Sequence, residues 1–505
     1  MKKALAFAVI LALVLGGVAV AARSVQGTAG EVTVTSTTLA GDPAAAQGLL
    51  ARQSLCYGRD LRWDLTVPLA DPAAAETNFT DRGEVPPASN DDKGVYIRFA
   101  SNSVDMGADP GYAPETLETG DFPVHKDLLP LVRAVAANTP AGQSHTETVD
   151  ASQYLTGYPL EVTLDLAAEE PDYSQEGTFE NLFQEDAVQA IRDFFRFLIP
   201  PEVRWTVTVV KDDDGLLTRL TIVPMDTEPL GGTLSAVGRH STYFTFGSQH
   251  LDGSNLADFS HVPGGYGIYR LDCPENDGGR FWADPDSLRT VYPLNPGQEQ
   301  PVNLTLSPDE QTLYLVLWTG GQYECRVLDA DTMALRQTFP IPAAPPQALD
   351  LETGEPTTPD RGTAWHDLRH LVVGENCLIA IGQDTVHAFA QGENGQYQYL
   401  WSALRPSAYQ EGFLPNVRAA WNGEKLALGF VDGQSEEPGL TLMLYDGQGE
   451  LLYHGTYATS LNNLGLDGAL VEERSHGAGT AEDSNVSPVR EPAAALTLTW
   501  QTDGA

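Results

Sequence analysis

The sequence predicts an all-β fold in which one four-stranded antiparallel unit is used repeatedly, interrupted by a single helical insertion. Three observations lead there. From about Thr233 onward the chain consists of short alternating runs broken by Gly, Asn and Asp, the pattern of stacked antiparallel strands. Four segments of that half share one order of strands and turns. Only one soluble stretch, residues 178–199, carries a clear helical apolar stripe.

Composition sets the outer limits. The 505 residues include 69 acidic and 29 basic side chains, a formal net charge of −40, and 42% hydrophobic residues. That apolar fraction excludes a disordered chain. The low basic content excludes a nucleic-acid surface, which needs clustered Lys and Arg to displace counterions from phosphates. Nothing in this charge balance would hold the protein on an anionic lipid leaflet.

Lys2 and Lys3 precede an uncharged apolar run over residues 4–22, closed by Arg23. At about 1.5 Å per residue a helix of this length nearly crosses a hydrocarbon core of about 30 Å. Ala19-Val20-Ala21 also forms a small-residue cleavage site. Residues 1–22 therefore read either as a signal peptide or as an N-terminal membrane anchor. Both readings keep the Lys pair inside and place the rest of the chain outside the cytoplasm. Contact with a membrane is then expected only through residues 4–22.

Residues 31–230 contain strand-like runs at 31–38, 61–69, 94–101 and 160–166, and a strong hairpin at 204–224 around Asp212-Asp213-Asp214-Gly215. Leu182, Val188, Ile191, Phe194, Phe195 and Leu198 give the helical insertion its stripe, and Pro200-Pro201 stops it. These residues read as further repeats carrying the insertion, or alternatively as a separate α+β domain.

Residues 231–460 carry the repeats themselves. The clearest unit spans 302–341, followed by 367–404 and 416–457, with a looser one over 233–294. The last hairpins align by type, with turns near Asp331, Asn394 and Gly447. Their period of about 55–60 residues suits a propeller blade of about 40–50 residues with inserted loops. A polar linker over 474–492 leads to a possible closing strand at 493–500, for which residues 31–38 are the expected partner. Such pairing would close a ring and remove its exposed edges.

LSPDEQTLYLV at 306–316 resembles the strand-turn-strand of quinoprotein-like and YVTN-like β-propeller repeats, with Glu310 where Gly is usual. LDADTMALRQTF resembles a second stretch of the same repeats, with Met333 in a Gly position. The likeness implies a β-propeller of about six to eight four-stranded blades, and implies no activity, since propellers host unrelated chemistries. The opening GDPAAAQGL at 41–49 with RWDLTVPL resembles uncharacterised, membrane-anchored proteins of Clostridia-type bacteria.

The search for chemistry assigns no catalytic, cofactor-binding or metal residue. GxSxG, P-loop, HExxH and EF-hand patterns are absent from the sequence. His366 and His370 have metal-ligand spacing for a helix, but the segment runs into a strand, where such a pair lies about 13 Å apart. His240, His250 and His261 fall at about ten-residue intervals in the loosest repeat; they could converge near a ring's axis, but nothing in the spacing demands it. Asp212–Asp214 read as a solvated turn, and Ser307-Pro308-Asp309 lacks the rest of a sialidase-type Asp box. Trp282, Trp318, Trp365, Trp401 and Trp421 recur about once per repeat and read as packing residues or as stacking platforms for a ligand. Cys56, Cys273, Cys325 and Cys377 read as buried thiols, with up to two bridges as the alternative. The expected function is that of an exported cell-envelope scaffold. It would bind an envelope protein or a carbohydrate without catalysis or cofactor. The alternative is a propeller enzyme, glycoside hydrolase or lyase-like, with paired carboxylates acting on extracellular carbohydrate. A third possibility uses the Phe194-Phe195-Arg196-Phe197 run as a docking element.

Overall fold

The computed structural model describes residues 32–57, 61–80, 94–99, 128–158, 160–165, 185–199, 203–224, 233–248, 258–274, 283–342, 348–349, 356–357, 368, 370–374, 376–382, 385–392, 394–404, 417–432, 439–460 and 496–501. Met1–Ser89 with His370–Ala505 make one compact unit, and Asn90–Arg369 make another.

In the first unit, β20 (His370–Gly374), β21 (Cys377–Ile381), β22 (Thr385–Gln391) and β23 (Tyr397–Leu404) form an antiparallel meander. Next come β24 (Arg418–Trp421), β25 (Leu426–Asp432), β26 (Gly439–Tyr445) and β27 (Leu451–Thr459), extended by β1 (Val34–Gly41) as a fifth strand. A third sheet has the order β28 (Thr497–Trp500), β2 (Leu49–Tyr57), β3 (Leu61–Pro68), β4 (Glu76–Thr80). Strand β24 lies beside both β20 and β28, so the innermost strands of the three sheets are neighbours.

The two-residue period of a strand explains how one sheet serves two cores. In β26, Leu440, Leu442 and Leu444 pack with Leu49, Ala51, Leu65 and Val67 of the third sheet. Met443 and Tyr445, on the opposite face, pack with Val372, Ile379, Ile381 and Trp401 of the first. Polar–apolar alternation fails in β21, whose five residues are all buried, as a strand covered on both faces requires.

The second unit repeats the pattern. Strands β10 (Leu234–Val237), β11 (Ser241–Thr245), β12 (Gly267–Asp272) and β13 (Arg289–Pro293) form one sheet. Another contains β14 (Glu299–Leu306), β15 (Thr312–Thr319), β16 (Gln322–Asp329) and β17 (Leu335–Ile341). Strands β10 and β14 are adjacent, and β5 (Gly94–Phe99), paired with β7 (Leu160–Asp165), lies on the other side of β10. A three-stranded sheet, β6 (Ser144–Asp150), β8 (Arg204–Lys211) and β9 (Leu217–Pro224), packs on helix α1 (Leu129–Ala137) around its own core of Leu131, Val135, Trp205, Val207 and Leu220. Strands β18 (Ala348–Leu349) and β19 (Pro356–Thr357) make a short ladder.

The protein is thus all-β, with four-stranded antiparallel meanders where repeats were expected at 302–341, 367–404 and 416–457, the last extended by β1. The looser unit at 233–294 is also four-stranded, its first strand being β10.

Three details differ from the sequence reading. The helix expected over 178–199 is α2, Glu185–Phe194; residues 178–184 lie outside the described residues. Beyond Phe194 the chain extends, and burial alternates: Phe195, Phe197 and Ile199 are buried, Arg196 and Leu198 exposed. Leu198 therefore drops out of the apolar stripe. Helix α1 was not anticipated, because its apolar residues fill barely two turns.

The third difference concerns closure. The C-terminal strand was expected to pair with 31–38, yet β28 pairs with β2 (Ala51↔Leu498) and β1 pairs with β27 (Ser36↔Tyr457). Burial decides the choice. Only Val34 of β1 is buried, whereas Leu496 and Leu498 need an inner position, and β2 offers one beside Leu49 and Ala51.

Among the described residues no helix is long and apolar enough to cross a membrane. The apolar run 4–22 and the linker 474–492 lie outside the described residues.

Candidate functional site

The most densely connected polar cluster lies in the second unit, where the loop before β14 meets β16. Glu299 and Gln300 open β14 and are almost fully buried. A buried carboxylate needs donors to offset lost hydration, and Glu299 has several. Its Oε2 accepts from Asn295 N at 2.7 Å and Asn295 Nδ2 at 2.8 Å, and its Oε1 accepts from Arg326 Nη2. Arg326 Nε donates to Glu324 Oε1 at 2.9 Å, so one guanidinium serves two carboxylates. Arg326 and Glu324 share a face because they are two residues apart on β16, opposite Leu315 and Leu317.

Gln300 continues the network. Its Nε2 donates to Ser248 Oγ at 2.9 Å, which also accepts from Gly297 N at 2.8 Å. Tyr266 OH donates to Phe246 O at 2.8 Å, and burial raises its phenol well above the usual range. Both oxygens of Glu299 and one of Glu324 accept hydrogen bonds within the cluster. A general acid or base must have a free lone pair or proton facing substrate. Glu299 and Glu324 instead face the same arginine. The arrangement clasps two sheets; it does not present a reacting pair.

A second constellation holds a peptide strand. Residues 496–501 lie between β2 and β24, with Leu496 and Leu498 buried. Arg418 Nε donates to Leu496 O at 3.2 Å, Trp500 Nε1 donates to Ala420 O at 3.0 Å, and Gln501 N donates to Gly48 O at 2.7 Å. Gly429 makes room for Leu498: a Cβ there would lie 2.9 Å from the leucine Cδ1. Backbone pairing, two apolar pockets and side-chain clamps at both ends are the parts of a strand-recognition groove.

The residues singled out from sequence do not converge. His240 precedes β11 and His261 precedes β12, so they lie at opposite ends of an antiparallel pair, and both are exposed. His250, His366, Trp282 and Trp365 lie outside the described residues. His370 opens β20, in register with Ile381. Asp212 Oδ1 accepts from Asp214 N at 3.0 Å and Leu216 N at 2.8 Å, which makes the acidic tip a hydrogen-bonded turn. Ser307 Oγ donates to Asp309 Oδ1 at 2.6 Å and accepts from Thr312 N at 2.9 Å, closing another turn. Among the described residues no group of three His, Cys, Asp or Glu is placed to share a metal.

Two of the tryptophans meet neighbouring tyrosines. Trp401 is buried against Tyr445 at 5.3 Å between ring centroids, and Trp318 lies 4.7 Å from Tyr323. The Phe194–Phe197 run, considered for docking, is consumed by its own unit: Phe195 meets Tyr269 at 4.6 Å and Phe246 at 5.3 Å, and Phe197 meets Phe259 at 5.4 Å. Cys273, Cys325 and Cys377 are buried. Sequence reasoning missed the Glu299–Arg326–Glu324 cluster, whose members lie on two strands separated by a third. The signal available was weak: Glu324 and Arg326 alternate with the apolar Tyr323, Cys325 and Val327, the ordinary pattern of a half-buried strand.

No protein-family model matches the chain, and no curated protein sequence does. Solved structures similar to it include a candidate 6-phosphogluconolactonase from Bacteroides uniformis, at 14% identity and a TM-score of 0.25, covering 50% of this chain and 64% of that one. The β-propeller domain of Cps50 (Swd1) from Myceliophteria thermophila gives 12% and 0.23, covering 50% and 68%. A functionally unknown protein from Desulfotomaculum acetoxidans gives 10% and 0.24, covering 51% and 66%. At these scores the activities of those proteins have no bearing on this chain.

Proposed function

We propose that the chain is an exported β-propeller that binds a cell-envelope protein or carbohydrate without catalysing its conversion. The blade count proposed is about six to eight, with three of the four- and five-stranded sheets in one compact unit and two in the other. One observation carries the reading. The same meander recurs with its inner strands buried and its outermost strand exposed or half-buried, as in β1, β4 and β17. Such a body is a rigid frame whose loops and outer strands are free to engage partners. The Lys-led apolar run 4–22 supports export, and the net charge of −40 supports solubility outside the cell. The test is a glycan and envelope-protein binding screen with residues 23–505. Saturable binding of one class at micromolar concentration is expected, and a uniformly negative screen would overturn the proposal.

A further inference from the structure

Asn422-Gly423 and Asn394-Gly395 are the two Asn-Gly pairs of the sequence, and each forms the turn of a hairpin. At such a pair the backbone can react with its own side chain, because glycine carries no Cβ to keep the following peptide nitrogen from the Asn carboxamide. The two turns hold the reacting groups differently. Asn422-Gly423 joins β24 to β25 below the Trp421↔Leu426 pair. Asn422 is exposed, and its Oδ1 accepts from Glu424 N at 2.9 Å and from Lys425 N at 2.7 Å, which folds the carboxamide forward along the chain. Gly423 N makes no hydrogen bond among the described residues. Gly423 has φ +98°, and nothing lies within 4 Å of where its Cβ would be. In the turn between β22 and β23, by contrast, Gly395 N donates to Gly392 O at 2.9 Å. Asn394 Oδ1 accepts a single N–H there, from Gln396 at 3.1 Å, and its Nδ2 donates to Gln396 Oε1 at 3.1 Å.

We propose that Asn422 is a site of self-modification in the folded protein, deamidating through a succinimide in preference to Asn394. Gly423 N attacks the carboxamide carbon of Asn422. A bond forms between that carbon and the nitrogen, the bond from Cγ to Nδ2 breaks, and ammonia leaves with the proton given up by Gly423 N. Solvent water then opens the succinimide at either carbonyl, leaving aspartate or isoaspartate at this position. The two N–H groups on Oδ1 stand where negative charge gathers in the tetrahedral intermediate, as donors do in an oxyanion hole. The nucleophile has no hydrogen bond to give up. At Asn394 the nucleophile is engaged, and one donor faces Oδ1. The aspartate product adds one negative charge and keeps both acceptor bonds. The isoaspartate product lengthens the backbone of the hairpin tip by one carbon beneath Trp421. None of this depends on which envelope ligand the chain binds.

The experiment incubates the full chain at about pH 8 and about 37 °C, with a parallel sample in urea. Both Asn-Gly pairs are followed by mass spectrometry of digested protein, in which deamidation adds about 1 Da. In the folded chain Asn422 should convert at least about fivefold faster than Asn394, and in urea the two rates should approach each other. Equal rates in the fold, faster conversion at Asn394, or no conversion at Asn422 while the urea sample reacts would each overturn the proposal. So would a preference of the same size in urea, which would assign it to the neighbouring sequence and not to the turn. Glu424→Pro removes one donor to Oδ1 and should slow Asn422 at least about threefold in the folded chain; an unchanged rate overturns the part given to the donors. If that variant does not fold, the native and urea rates of the full chain decide the matter.

Discussion

Glu310 Oε1 accepts a 2.8 Å hydrogen bond from the backbone N of Arg239, fastening the turn after β14 to the turn after β10. Glu310 does this from a left-handed conformation, φ +59°, that costs a non-glycine residue about 1–2 kcal/mol. Strain and hydrogen bond oppose each other. Glu310→Gly should therefore change stability by less than about 1 kcal/mol, whereas Glu310→Ala keeps the strain, loses the bond and should cost about 1–2 kcal/mol. Urea midpoints separate the two. Equal losses in both variants would show that the bond alone matters.

Acid should loosen the turn after β16. Asp329 accepts from Thr332 N at 2.9 Å and Thr332 Oγ1 at 2.8 Å, and pairs with Arg336. Those hydrogen bonds, the backbone one foremost, hold its carboxyl well below the usual range. A depressed acid stabilises the fold above its unfolded value near 4, and that contribution fades as pH falls further. Asp329→Asn should lower the melting temperature more at pH 7 than at pH 2, where the contribution is already partly lost. A parallel offset at both pH values would contradict this.

His387 acts through the opposite charge. It is buried on β22, its Nε2 lies 3.0 Å from Thr385 Oγ1, and its Nδ1 has no hydrogen-bond partner among the described residues. Burial lowers the imidazole to about 4. The neutral ring therefore stabilises the fold fully above about pH 6.5, and the contribution is lost on the way down to 4, on the order of 3 kcal/mol. Replacement by Gln should flatten the fall in unfolding free energy between pH 7 and pH 4, measured in urea. An unchanged slope would place the acid sensitivity elsewhere.

Gly429 and Leu498 should be energetically coupled. Gly429→Ala pushes a methyl against Leu498 and should cost about 1–3 kcal/mol. Leu498→Ala leaves a cavity and should cost about 2–4 kcal/mol. Combined, the methyl partly fills the space, so the double variant should be at least about 1 kcal/mol more stable than the sum predicts. Strict additivity would mean that the two side chains do not meet.

The buried thiols should be silent until the fold opens. Burial raises Cys273 to about 11 and Cys325 higher still, leaving almost no thiolate at neutral pH. A thiol reagent at pH 7.5 should label Cys273, Cys325 and Cys377 only in denaturant, as read by mass spectrometry of digested protein.

Much of the fold was legible because its information is local. The repeats at 302–341 and 416–457 show strand period and turn chemistry in consecutive residues, and each maps onto a four-stranded meander, the second extended by β1. Even the Gly positions held by Glu310 and Met333 proved to be left-handed, at φ +59° and +56°. What failed depended on distant partners. That β28 would choose β2 over β1 follows from burial of Leu496 and Leu498, which no local pattern reveals. Glu299 and Arg326 are separated by a whole strand, so their pairing was equally hidden. The helix boundary at Phe194 was set by aromatic packing against Tyr269 and Phe246, not by the proline pair beyond it.

The lacing of the first unit also fixes a sequence of events. Strands β1 to β4 are made early, yet β1 has no partner until β27 exists, and β2 lacks an inner neighbour until Thr497–Trp500 have been synthesised. The intervening Asn90–Arg369 form a compact unit of their own. A growing chain can therefore fold its middle first while its beginning waits for its end. Long-range pairing of this kind is slow, and for as long as it is incomplete the early strands present open edges to whatever chaperone meets them.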